Sequence, residues 1–345
     1  MKEPPYRPTA VVIQTAFLGD VVLTTPLLSV LASRYGPVDV VTTPAAAGLL
    51  EGHPAVCSVI RYDKHDGGRG WVGLRKIGSE LRSRGYERVY LPHRSLRSAA
   101  LALWSGAHER IGFADAPAAI TYTSRVARQR TGHEVERLLA LAGMGRSETP
   151  PVSLELRAAD HARADAWLTS HGVGARFAAI APGSVWGTKR WPYYSELVSR
   201  LNQPAVIVGG PDDVPLAGAI EAVAPERLVS AAGVLSLRES AALIQRASVL
   251  VTNDSAPLHL ATAVGTPVVA LFGPTVPEFG FGPRRAGDVT LGHADLPCRP
   301  CSRHGPERCP LRHHRCMREL SVEAVLEAVL SIMSVEESRA IYPRS

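Results

Sequence analysis

From residue 176 to residue 273, short runs rich in Val, Ile and Ala alternate with segments long enough for a helix. "RFAAIAP" (176–182), "AVIVGG" (205–210), "RLVSAAG" (227–233), "SVLVTND" (248–254) and "PVVALFG" (267–273) read as strands, and 193–202, 213–224, 236–247 and 256–265 as the helices between them. Strands that are apolar almost throughout are buried on both faces. A helix in each connection implies a parallel sheet covered on both sides.

The first half carries the same alternation with more interruption. "TAVVIQ" (9–14), "VDVVTT" (38–43) and "ERVYLP" (87–92) read as strands. Helical patterns cover 21–36, stopped by Gly36, then 95–106 and 133–145. Between the halves lies "RSETPPVSLEL" (146–156), polar and proline-bearing, the best linker in the chain. A length of 345 residues suits two domains. The reading is therefore α/β, with Rossmann-like domains at 1–150 and 151–345, each binding its ligand beyond the carboxyl ends of its strands.

Composition narrows the function classes. Hydrophobic residues make up 46% and charged residues 20%, as in a globular protein. No run of about 20 apolar residues would serve as a transmembrane helix. "MKEPPYRPTA" lacks the layout of a signal peptide, so a cytoplasmic protein is expected. Net charge is +6, and only Lys2, Lys64, Lys76 and Lys189 among the 38 basic residues are lysines, which leaves 34 arginines. Aromatics are 6% and do not interleave with basic residues, which argues against a nucleic-acid partner. The mild basicity fits an anionic small substrate or an anionic lipid surface.

Three stretches at strand ends carry candidate chemistry. In "VTNDSAPLHLATAVG" (251–265), Asn253, Asp254 and Ser255 fall where a strand gives way to a helix. They can cap that helix, or its free N–H groups can hold a phosphate. His259, one turn on, could reach the same ligand or simply be a core histidine. In "APGSVWGTKRWP" (181–192), Gly183 and Ser184 open a loop bearing Lys189 and Arg190, which suit solvent or a phosphate. In "VGGPDD" (208–213), Asp212 or Asp213 could accept from a ribose or cap the next helix. The apolar run "VVIQTAFLGDVVLTTPLL" (11–28) adds a puzzle, since Asp20 interrupts it and faces desolvation. That carboxylate either caps a helix starting at Val21 or serves as a base.

Four segments in order, "QTAFLGDVVLTTPLL", "PGSVWGTKRWP", "TNDSAPLHLATAVGTPVVALFGPT" and "CRPCSRHGPERCPLRHHRCM", resemble the ADP-heptose:lipopolysaccharide heptosyltransferases, glycosyltransferase family 9. The resemblance runs from residue 9 to about 330. It implies a GT-B fold, with two Rossmann-like domains facing a central cleft. It also implies an inverting transfer from ADP-heptose to a lipid-anchored lipopolysaccharide core, with neither cofactor nor catalytic metal. The donor then binds the C-terminal domain and the acceptor the N-terminal one. Carried onto this chain, Asp20 is the general base and Lys189 meets the diphosphate. Ser184, Asp254, Ser255, Ala256 and His259 surround the phosphates and sugar. The ribose contact maps only loosely, to Asp212 or Asp213. An acceptor anchored in lipid implies peripheral contact with the cytoplasmic face of the inner membrane, for which the arginine-bearing stretches 93–104 and 125–130 are candidates. Another glycosyltransferase, a nucleotide-sugar epimerase, or a non-catalytic nucleotide or phospholipid binder shares enough of the pattern to stand as an alternative.

The cysteines form a separate pattern. Cys57 is isolated and expected to be buried. Cys298, Cys301, Cys309 and Cys316 follow C-x2-C-x7-C-x6-C, with His304, His313 and His314 among them. The leading CxxC suggests a zinc knuckle, but the later spacings match no standard ribbon or finger. Reduced structural thiols or opportunistic disulfides are the expectation.

Overall fold

The structure is a computed structural model, and it describes residues 6–63, 70–145 and 149–341. Lys64 and the first three residues of the expected linker lie outside these. The chain divides into two compact units, Met1–Glu155 and Leu156–Ser345. The division falls within the 146–156 stretch, near its end. Val152 is buried and the Ser153 N–H donates to Thr25 Oγ1 at 3.1 Å, so these residues belong with the first unit.

In the first unit, β1 (Ala10–Ile13), β2 (Val38–Thr42), β3 (Val56–Arg61), β4 (Arg88–Leu91), β5 (Glu109–Phe113) and β6 (Ser124–Val126) form one sheet. Its order is β3-β2-β1-β4-β5-β6, parallel throughout. The second unit repeats the plan with β7 (Ala178–Ala181), β8 (Ala205–Ile207), β9 (Leu228–Ser230), β10 (Val249–Asn253), β11 (Val268–Phe272) and β12 (Val289–Gly292). Here the order is β12-β11-β10-β7-β8-β9, again parallel. Strand order reverses between β1 and β4, and between β7 and β10. Such reversals open a crevice beyond the carboxyl ends of the two strands. The central strands β1, β7 and β10 are buried at every residue, as their apolar runs require. Edge strands β3 and β12 alternate with exposed positions, carry Cys57, Arg61 and Thr290, and so leave no continuous apolar run.

The segment read as one helix over 21–36 is two. A helix spans Leu18–Leu23 and another Thr25–Tyr35, separated at Thr24. Pro26 has no N–H to donate back across Thr24, so it begins a helix rather than continuing one. Gly36 closes the second helix at φ 77°, a left-handed angle that favours glycine. No helix among the described residues is long and apolar enough to cross a membrane.

Candidate active site

The carboxyl ends of β7 and β10 are adjacent in the second sheet, which brings the 182–190 loop beside the 254–259 turn. Asn253 joins them. Its buried amide donates to Pro182 O at 2.8 Å, and its Oδ1 accepts from Trp191 N at 3.2 Å and Tyr194 Oη at 3.0 Å. A buried amide with both ends engaged fixes the loop on the strand end. Asn253 is thus a tie beneath the site.

On that base Lys189 Nζ donates to Asp254 Oδ2 at 2.6 Å and to Asp254 O at 3.0 Å. Each of the two side chains is 11% exposed. Thr275 Oγ1, from the turn after β11, donates to the same Oδ2 at 2.7 Å. Thr275 stands inside the "FGPT" run, so its position after a strand end was the one available signal. The helix Ala256–Val264 starts at the far side of Asp254. Ser255 occupies its N-cap but makes no side-chain capping bond. Its hydroxyl instead stands 3.4 Å from Thr252 Oγ1 and Asn253 O. Pro257 removes one first-turn donor, and Ala256 brings no side-chain acceptor. The carboxylate that could have capped this helix is held by Lys189 and Thr275, which leaves the helix start suited to an exogenous anion.

His259 lies one turn inside the helix, 5% exposed and with its ring 6.2 Å from that of Phe281. Burial pushes its pKa down to about 4, the Lys189 charge adds to this, and Asp254 opposes it. At neutral pH it is a neutral imidazole able to donate one hydrogen bond. Ser184 is half-buried, its Oγ accepting from Trp186 N at 3.3 Å. Arg190 is exposed and folds back on Ser184 O, so the Lys-Arg pair divides between the site and its own loop. Asp213 Oδ2 accepts from Gly210 N at 2.9 Å, the capping role, while Asp212 is exposed. Asp213 also presses on the 183 position: a Cβ on Gly183 would lie 2.1 Å from its Oδ1, so a larger residue there would displace the Asp213 carboxylate.

In the first unit Asp20 follows β1, beyond the carboxyl end of the strand. Its helix begins at Leu18 with Phe17 at the N-cap, so Asp20 is the third helical residue and not the cap of a helix from Val21. Its Oδ2 accepts from Phe17 N at 3.2 Å. The side chain is half-buried, so the desolvation expected from its apolar neighbours is partial. The 125–130 stretch is not a simple basic surface: Arg128 is 12% exposed, lies 2.6 Å from Glu134 and sits over the Phe113 ring. Arg94 is paired with Asp115 at 2.8 Å.

Cys57 is exposed, contrary to expectation, because β3 is an edge strand. Cys298, Cys301, Cys309 and Cys316 carry free thiols, and among the described residues no group of three or more His, Cys, Asp or Glu side chains could hold a metal ion. Burial and the neighbouring thiols raise Cys316 to about 11.

Comparison with known proteins bears on what this arrangement does. The chain is 30% identical over 166 residues to lipooligosaccharide heptosyltransferase 2 of Campylobacter jejuni, a match covering 45% of this chain and 51% of that protein, about half its length. It is 28% identical over 364 residues to lipopolysaccharide heptosyltransferase 2 of Escherichia coli K12, covering 95% of this chain and 99% of the relative. The solved structure of E. coli ADP-heptose lps heptosyltransferase II superposes with a TM-score of 0.79 at 23% identity, covering 95% of this chain and 99% of that one. That likeness carries the GT-B fold. Residues 74–309 match glycosyltransferase family 9 (heptosyltransferase), and with two parallel α/β units and a cation–carboxylate pair at a helix start, the chain belongs to that family.

Proposed function

We propose that the enzyme transfers a heptose, with inversion, from ADP-heptose to the inner core of lipopolysaccharide, as a heptosyltransferase II. The observation that carries this reading is the Lys189–Asp254 pair at a helix start whose N-cap Ser255 makes no side-chain capping bond. In this reading the second unit binds the donor. Lys189 and the N–H groups of the 256–264 helix receive the diphosphate, and neutral His259 donates to a phosphate or sugar oxygen. The first unit binds the acceptor, and Asp20 takes the proton of the attacking hydroxyl.

The steps balance simply. The acceptor O–H bond breaks and its proton goes to Asp20 as the new O–C1 bond forms. The C1–O bond to phosphate breaks, and the electron pair leaves with ADP. Negative charge grows on the diphosphate, where a fixed cation and oriented N–H groups stabilise the transition state more than the ground state. Asp254 holds Lys189 in place until the donor arrives, so the ammonium is already aimed and needs little reorganisation.

The test is transfer from ADP-heptose in the presence and absence of heptose-deficient lipopolysaccharide core. ADP should appear only with the acceptor. Conversion of ADP-heptose alone to another ADP-sugar would indicate an epimerase instead. The proposed location is the cytoplasmic face of the inner membrane, peripherally bound, because the acceptor is anchored in lipid. Salt-sensitive co-sedimentation with anionic vesicles is expected, and its absence would remove that contact.

A further inference from the structure

The short turn Gly187–Lys189 that carries the lysine is a three-residue 3-10 helix, with little internal hydrogen bonding to hold it. Its tethers come from the cysteine-bearing segment more than a hundred residues later. Gly187 N donates to Glu307 Oε2 at 3.2 Å. Thr188 Oγ1 donates to Pro306 O. His314 Nε2 stands 2.8 Å from Thr188 O. A carbonyl only accepts, so the imidazole carries its hydrogen on Nε2 and donates. Gly305 packs on the lysine stem, since a Cβ there would lie 3.4 Å from Lys189 Cγ.

His314 is itself held unusually. Its backbone is left-handed, at φ 50° and ψ 30°, a conformation a histidine adopts at some cost. Its N–H donates to Cys309 Sγ at 3.4 Å, and its carbonyl accepts from Arg318 N at 3.0 Å. Three residues on, fully buried Met317 packs beneath Gly273 at the end of β11. The strained residue therefore sits on a rigid base, with its ring aimed at the peptide preceding Lys189.

We propose that His314 is a positioning residue: its hydrogen bond to Thr188 O sets the Gly187–Lys189 turn so that Lys189 meets the diphosphate. The inference rests on the assignment of Lys189 to that diphosphate. It also gives the cysteine-bearing segment a role that requires no metal, with Cys309 and Met317 as the mounting for the histidine.

The test uses His314→Gln and His314→Asn, each in the full-length enzyme with and without Lys189→Ala. Glutamine can still donate to Thr188 O but suits φ 50° poorly, whereas asparagine suits that backbone and cannot reach. Stability and positioning thus predict opposite orders. The Asn variant should melt no lower than the Gln variant, yet show roughly tenfold lower kcat/KM for the donor, while Gln stays near the parent. In the Lys189→Ala background the Asn change should cost nothing further, because the group it positions is gone. Full activity of His314→Asn overturns the inference, as does activity that follows melting temperature. An undiminished Asn effect in an already impaired Lys189→Ala enzyme overturns it while leaving the lysine assignment standing. Unchanged transfer by Lys189→Ala alone overturns the lysine assignment itself.

Discussion

At the residue scale, two side chains set the expected behaviour. Asp20→Asn keeps size and geometry, and an amide oxygen can still accept from Phe17 N, the bond seen at 3.2 Å. The helix should therefore survive while the basic oxygen is lost. Turnover should fall by roughly 10²–10⁴-fold with ADP affinity nearly unchanged. Steady-state transfer beside calorimetric ADP binding checks this, and a fully active Asn variant would remove Asp20 as base. His259 makes a different prediction, in acid. Its folded pKa of about 4 lies below the ordinary 6.5, so between those values the unfolded chain binds a proton that the folded chain refuses. Stability is thus lost as pH falls from 6.5 towards 4, by about 3 kcal/mol from this group. Denaturant unfolding across that range should show a shallower acid limb in His259→Gln, and an unchanged limb would place the loss elsewhere.

At the element scale, the start of the 256–264 helix is left uncapped by its own Ser255. The first-turn N–H groups thus have no side-chain cap from Ser255, which suits the helix start to an anion. Ser255→Asp should supply the missing cap, adding about 0.5–1 kcal/mol of stability. The same carboxylate would occupy the anion position and repel a diphosphate, so ADP affinity should drop by about tenfold or more. Melting temperature and ADP titration should move in opposite directions. A variant both tighter-binding and more stable would show that the diphosphate lies elsewhere. The strands explain what could be read at this scale. Buried β1, β7 and β10 were legible because both faces demand apolar residues. Edge strands β3 and β12, half-exposed, mix charge and polarity into the pattern and were not. The break at Thr24 was missed for another reason: the apolar period runs unbroken through it, and only Pro26 marks the new start.

At the scale of the whole molecule, each unit has its own core and its own six-stranded sheet. ADP bound as proposed should protect amides of the second unit, at 183–190 and 253–259, in hydrogen exchange, and leave 14–20 in the first unit unaltered. Protection centred on 14–20 would exchange the proposed roles of the units.

The sequence by itself determined the α/β class and the placing of Asp20, Ser184, Lys189 and the 254–259 turn beyond strand ends. All of these follow from local period, from glycine and proline, and from which residues end each run. Tertiary structure decided the partnerships. Lys189 meets Asp254 across 65 residues because β7 and β10 are neighbours in the sheet, although β8 and β9 lie between them in the chain. Thr275 and His314 arrive from still later segments. A one-dimensional pattern records which face of a strand or helix is buried, and strand order, which it does not record, decides which ends meet.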